Sequence, residues 1–177
     1  FNVNVDKKTA QAINEIFVEI VIAPSVDEDA MEEFSKRKSL RLITLDSDSL
    51  RQSNEKKLRQ ISGGLLLQDK DIKQVTAHDI VTVSERKPSL KEVNDMLFAW
   101  KVAKYIKSNA IVFAKQMSTV GIGAGQMSRI DSTRIARFKA KEMANKLGKK
   151  RSFSIGAVAA SDAFFPFEDG IIEIANA

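Results

Sequence analysis

The chain has 177 residues, with 28 Lys plus Arg against 23 Asp plus Glu, a single His and no Cys. That length suits one domain or two small packed subdomains. The lack of Cys removes disulfides, thiolate nucleophiles and Cys-ligated zinc, and no apolar run approaches the ~20 residues of a membrane-spanning helix. An apolar share of 44% against 29% charged excludes wholesale disorder, and a net charge of +5 points to no partner class until its distribution is known. The opening FNVNVDKK has neither an initiator Met nor a signal-peptide pattern, so a piece of a longer chain is expected.

Helix and strand signals then alternate. Asp6 is placed to cap a helix running to Phe17, with Ala10, Ile13 and Phe17 on one face. Val18 to Ala23 reads as a largely buried strand that Pro24 stops. Ser25 or Asp27 opens a second helix, acidic at its start (Asp27, Glu28, Asp29) and basic at its end (Lys36, Arg37, Lys38), the polarity a helix dipole favours. Leu40 to Leu45 is the next strand, followed by a polar surface loop over Asp46 to Lys57. Ile61 to Gln68, with Gly63-Gly64, reads as one strand with a bulge or close backbone approach. The polar stretch from Asp69 to Lys87 is the expected linker, dividing the chain into subdomains over 1–75 and 76–177. His78 lies in it and reads as a surface residue.

Pro88-Ser89 starts the strongest helix, with Ser89 and Glu92 as a capping box and Val93, Leu97, Trp100 and Lys101 at helical spacing. Ala110 to Ala114 and Thr119 to Ile122 read as a hairpin turning at Lys115 to Ser118. Ser128 caps a long basic helix to about Leu147, where Gly148 is a stop. Ile155 to Ala160 is a short strand, Phe164-Phe-Pro-Phe167 a loop, and Asp169 opens a last helix that runs off the end. Alternating α and β elements with buried strands predict an α/β layered fold.

Four strings could carry chemistry. Gly121-Ile-Gly-Ala-Gly-Gln-Met-Ser-Arg129, between strand and helix, is either an anion-binding loop or a tight turn capped by Ser128. It is neither a dinucleotide fingerprint nor a Walker loop, since Gln126 stands where the third Gly belongs and no Gly-Lys-Ser/Thr follows. In Lys107-Ser-Asn-Ala-Ile111, Asn109 can read a planar amide or base edge, or simply end a helix. Ala160-Ser-Asp-Ala-Phe-Phe-Pro-Phe-Glu-Asp169 offers an aromatic wall with carboxylates, or rings buried for packing. The basic helix, with Arg134, Arg137, Lys139, Lys141 and Lys146, is a nucleic-acid footprint or a solvated face; its charges are scattered around the helix rather than striped.

Lys107-Ser-Asn-Ala-Ile-Val, Val120-Gly-Ile-Gly-Ala-Gly-Gln-Met-Ser-Arg-Ile130 and Ala160-Ser-Asp-Ala-Phe-Phe-Pro-Phe167, in this order and spacing, resemble the bifunctional purine biosynthesis family. That family joins phosphoribosylaminoimidazolecarboxamide formyltransferase to IMP cyclohydrolase. Phe17-Val-Glu-Ile-Val-Ile-Ala-Pro24, Gly63-Gly-Leu-Leu-Leu-Gln-Asp69 and Leu97-Phe-Ala-Trp-Lys-Val102 fit it too, so the resemblance covers nearly the whole chain. It implies two cytidine-deaminase-like α/β/α subdomains without the deaminase zinc, and a cytoplasmic homodimer acting on small molecules rather than nucleic acid or membrane. The implied reaction is attack by the 5-amino group of aminoimidazolecarboxamide ribonucleotide on the formyl carbon of 10-formyltetrahydrofolate, with a Lys-His pair as acid–base apparatus.

By that resemblance Asn109, Arg129 and Phe164 match ribonucleotide contacts, as do Ser25 and Asp46, while Ile130 and Asp169 match folate-side contacts. Asp162, near the Ser108 backbone, matches a structural potassium site of some members. Glu168 stands where the family usually has Arg. The family's Lys-His pair lies in a Lys-His-x-x-Pro-x-Gly string that this sequence lacks, and His78 is not its equivalent. The cyclohydrolase domain is likewise expected to lie outside this chain. The alternative class is a non-catalytic nucleotide- or nucleic-acid-binding module built on Gly121 to Arg129 and the basic helix.

Overall fold

The computed structural model describes residues 1–45 and 56–177. They form two compact units, Phe1–Ile72 and Lys73–Ala177, each with its own core. Asp46 and most of the loop expected after Leu45 lie outside the described residues.

In the first unit, α1 (Lys7–Asn14) starts where Asp6 accepts a hydrogen bond from the Thr9 amide at 2.8 Å. β1 (Ile20–Ala23) and β2 (Arg41–Thr44) pair in parallel across α2 (Glu28–Ser35), a βαβ unit. Ala10 and Ile13 of α1, Ala30 and Phe34 of α2, and Val21 and Ala23 of β1 share one core with Val5. Both helices therefore cover the same face of the strand pair. Ile20 and Ile22 on the other face are exposed, so the expected largely buried strand is buried on one side only.

Three expectations are corrected here. Phe17 does not join Ala10 and Ile13: α1 stops at Asn14 and Phe17 is 85% exposed. The cause is Arg37, whose guanidinium donates to the carbonyls of Ile13, Ile16 and Val18 and so takes over acceptors that a longer helix would use. Arg37 thus serves the C-terminus of α1 rather than that of α2, which ends before it. The expected single strand over Ile61 to Gln68 is the second half of an antiparallel hairpin, β3 (Lys57–Ile61) and β4 (Gly64–Gln68). Gly63 adopts φ +80° in the Ser62-Gly63 turn, so the glycine pair reverses the chain instead of bulging it.

The second unit opens with little regular structure beyond a short 3-10 turn, Ala77–Asp79, in which His78 is exposed. α3 (Leu90–Ala103) then carries the expected capping box. Glu92 accepts the Ser89 amide at 2.8 Å and meets the Arg86 fork at 2.8 and 3.0 Å. Hydrogen bonding to Arg86, then to Ser89, lowers the Glu92 carboxyl to about 2. Its contribution to stability is complete above its ordinary value of 4.5 and is lost as pH falls toward 2. In urea melts the chain should weaken over that interval, and Glu92→Gln should flatten this part of the profile; an unchanged slope in the variant would refute the assignment.

The buried stripe of α3 is Asp95, Ala99 and Ala103, not the expected Val93, Leu97 and Trp100 face, and Trp100 is half exposed. Small residues let the helix lie close on β5 (Ile111–Lys115), against Val112 and Ala114. Asp95 reaches the turn that follows β5, accepting the amides of Gln116 at 3.0 Å and Met117 at 2.7 Å. Both turn residues have positive φ, 54° and 58°, the type I′ geometry usually left to Asn-Gly. A buried carboxylate holding both amides is what over-determines it.

β5 is the centre of an antiparallel sheet of order β6-β5-β7, with β6 spanning Ser118–Gly123 and β7 Val158–Ser161. The period of two sorts its side chains: Val112 and Ala114 face α3, while Ile111 and Phe113 face α4 (Arg129–Lys146). Helices therefore cover both faces. β7 begins later than the expected Ile155 because Gly156, at φ +70°, interrupts the extended chain. α4 ends as expected, with Gly148 at φ +66° and the Lys149 amide returning to Ala144 at 2.8 Å. α5 (Asp169–Ala175) docks on α4 and is closed by Asn176.

Candidate functional site

Pairing fixes which residues meet at the end of the second unit where β5 begins. Ile111 lies opposite Gly123 on one side and Ser161 on the other, so Gly123 and Ser161 share the face toward the start of α4. Asn109, just before β5, donates both hydrogens of its side-chain amide, to the carbonyls of Gln126 at 2.9 Å and Met127 at 3.2 Å. The Asn109 carbonyl accepts the Ser132 hydroxyl at 2.6 Å, and the Gly125 amide donates to Lys107 at 2.7 Å. The two strings are stitched together, and what Asn109 can still offer a ligand is its acceptor Oδ1.

The glycines of the loop are explained chiefly by packing. A Cβ at Gly121 would collide with the carbonyl oxygen of Ala136, and one at Gly123 with that of Ser132. Helix α4 presents Ser132, Ala136, Ala140 and Ala144 to the sheet, all buried. Glycine facing small residues brings the α4 backbone onto β6, which gives two of the loop's three glycines a packing role. At the helix start, Ser128 accepts the Asp131 amide at 3.1 Å and donates to the Asp131 carboxylate at 2.7 Å. A cap with its own carboxylate already answers this helix dipole.

Arg129 is not the exposed side chain that the first turn of a basic helix suggests. Its side chain is 17% exposed; Nε donates to the Ser161 hydroxyl at 3.2 Å, and a terminal nitrogen lies 3.7 Å from Asp162 Oδ1. Asp162 in turn accepts the Ala110 amide at 2.8 Å. Burial pushes the Asp162 carboxyl upward, but hydrogen bonds from Ser108 and Ala110 and the Arg129 charge outweigh it and hold the group below its ordinary value. Its partners are an N–H, a hydroxyl and a guanidinium, hydrogens and positive charge where a potassium ion needs oxygen lone pairs. The residues present do not fit that ion.

The three phenylalanines separate. Phe165 packs into the core beside Ile111 and Phe113, whereas Phe164 is 78% and Phe167 72% exposed. Phe164 follows the Arg129-binding pair Ser161-Asp162 by two residues and leaves its ring in solvent. Ile130 stands next to Arg129 on α4 and is half-buried. Asp169 heads α5, is exposed, and accepts its neighbour Gly170's amide at 2.7 Å; none of its described contacts joins it to this cluster. Ser25 belongs to the first unit, where its hydroxyl donates to Asn4 at 2.7 Å. Ser161 and Ser132, which the sequence reading passed over, supply two of the bonds that hold the cluster. A groove of about 870 Å³ near the β5–β6 turn, lined by Lys115, Lys139, Glu142 and Phe153, includes none of Asn109, Arg129 or Phe164.

On the basic helix Lys139 and Lys146 share Glu142, and Arg134 pairs with Glu173.

A family model described as the AICARFT/IMPCHase bienzyme matches residues 1–139. The chain belongs to that family. Relatives called "Bifunctional purine biosynthesis protein PurH" extend the likeness across the rest of the chain. The protein of Roseobacter denitrificans is 49% identical over 176 residues, that of Magnetococcus marinus 48% over 174, and that of Dinoroseobacter shibae 51% over 172. These alignments take in 97–99% of this chain but 32–33% of each relative, so the chain spans about a third of the length of the curated relatives it matches. The resemblance read from the motifs is thereby shown, and the nucleic-acid-module alternative is not favoured.

Proposed function

We propose that the second unit carries the ribonucleotide-binding cluster of a formyltransferase in purine biosynthesis. The reaction is transfer of the formyl group of 10-formyltetrahydrofolate to the 5-amino group of aminoimidazolecarboxamide ribonucleotide. In this reading both units are parts of deaminase-like α/β/α subdomains, Ile130 and Asp169 lie toward the folate, and Ser25 and Asp46 contribute to the ribonucleotide. The parent enzyme is a cytoplasmic homodimer.

The observation that carries the proposal is that strand pairing brings Asn109, Arg129 and the Ser161–Asp162 pair ahead of Phe164 to one end of the sheet in a member of this family. An acceptor amide, a forked cation and an exposed ring are the three groups that a carboxamide, a phosphate and a planar heterocycle call for. Arg129→Ala in the full-length protein should weaken ribonucleotide binding by about ten- to 150-fold, the cost of a charge-assisted donor. Because its side chain is mostly enclosed and paired, the same change should also cost about 2 kcal/mol of stability. Arg129→Lys should recover stability better than affinity, since an ammonium cannot copy the fork. Calorimetric titration alongside denaturation separates the two effects, and unchanged affinity in a folded variant would overturn the site.

A further inference from the structure

Two side chains that make no claim on the ribonucleotide hold the Arg129 guanidinium. The Ser161 hydroxyl donates to the Ala163 carbonyl at 2.8 Å, so its single proton is spent and it meets Arg129 Nε only as an acceptor, at 3.2 Å. Asp162 forms an ion pair with a terminal nitrogen at 3.7 Å, longer than a hydrogen bond, and is itself pinned by the Ala110 amide at 2.8 Å, beside the start of the central strand. Among the described residues these contacts involve Nε and one terminal nitrogen, and the other, with its two N–H groups, is the one offered to a ligand. Ala163 also precedes Phe164, so one hydroxyl ties the cation and the aromatic loop together.

An unrestrained arginine carries about 2 kcal/mol of rotamer entropy that binding must remove. A guanidinium fixed beforehand on a strand end has already lost that freedom, and its ligand does not have to supply it. Resting on the ribonucleotide reading above, we infer that Ser161 and Asp162 are positioning residues that aim Arg129 at an oxyanion or carboxamide oxygen of that ligand, with Asp162 acting through Arg129 and not as a cation ligand.

The test is a double-mutant cycle on aminoimidazolecarboxamide ribonucleotide affinity in the full-length protein. Asp162→Asn keeps an acceptor for the Ala110 amide and removes the charge; it should weaken binding by about three- to tenfold, and Ser161→Ala by a smaller factor. In an Arg129→Ala background neither change should weaken binding further, because the residue they aim is gone. A merely structural role would lower the melting temperature in both backgrounds and leave affinity in the folded protein unmoved. Equal losses with and without Arg129 would overturn the inference, as would a potassium-over-sodium effect on affinity that Asp162→Asn abolishes. Should Asp162→Asn fail to fold, Ser161→Ala, which leaves the Asp162 to Ala110 bond intact, carries the cycle. No ribonucleotide binding by the wild type would instead refute the proposed function and the inference with it; binding with an additive cycle would refute the inference alone.

Discussion

Gly123→Ala is expected to cost about 3 kcal/mol of folding stability, the upper part of the range for overpacking a closed interface. The added methyl group would fall on the carbonyl oxygen of Ser132, a backbone atom at the N-terminal end of the buried stripe by which α4 packs on β6. A flexible side chain could step aside; a helix carbonyl can do so only if the helix lifts from the sheet. Ser132, Ala136 and Ala140 are all fully buried, so lifting would open contacts along the whole stripe. Gly125→Ala is the control. Its φ of +67° penalises a side chain, but nothing lies within 4 Å of the new atom. About 1 kcal/mol is expected there, the cost of placing an L-residue in the left-handed region. Urea denaturation of both variants gives the comparison. Equal losses would mean that the motif's glycines serve turn geometry rather than close packing.

What the sequence could disclose follows from how far apart the interacting residues are. The Ser89–Glu92 capping box and the Gly148 stop were legible because their physics is confined to a few neighbours. The same locality misled at Gly63-Gly64, where a bulge and a tight turn need the same conformational freedom and only the partner strand Lys57–Ile61 decides between them. The α3 face was misjudged because periodicity favours large apolar residues. The sheet instead takes Ala99 and Ala103, and beside them a carboxylate, Asp95, whose partners lie 21 and 22 residues away. Arg129 shows the limit most clearly. Its place in the motif was legible, but Ser161 lies 32 residues on and meets it only because Ser161 and Gly123 flank Ile111 across the sheet, on the face toward the start of α4. The glycine string is the converse case: its identity as a family motif was correct, while two of its glycines prove to be fixed by helix–strand packing as much as by any ligand.

The 177-residue polypeptide on its own should show no formyl transfer above background, even where it binds the ribonucleotide. The amine that attacks a formyl carbon must shed a proton, and the departing folate nitrogen must gain one. Groups positioned for such transfers contribute ~10² to 10⁴ in rate. The family resemblance puts that work on a Lys-His pair within a Lys-His-x-x-Pro-x-Gly string, and these residues contain no such string. The single imidazole present, His78, is exposed in a short 3-10 turn, in contact range of no residue of the Asn109–Arg129–Asp162 network among the described contacts. The cluster around Arg129 can fix and orient; nothing in it is suited to relay a proton at neutral pH. Asp162 is held ionised by its partners. The assay follows folate release with both substrates present, run beside a calorimetric titration of the ribonucleotide. Binding without turnover is the expected outcome. Turnover by the purified polypeptide would show that acid–base groups reside in these residues after all, and His78→Ala would then be the first variant to examine, since loss of that turnover would move the assignment to the one histidine the chain possesses.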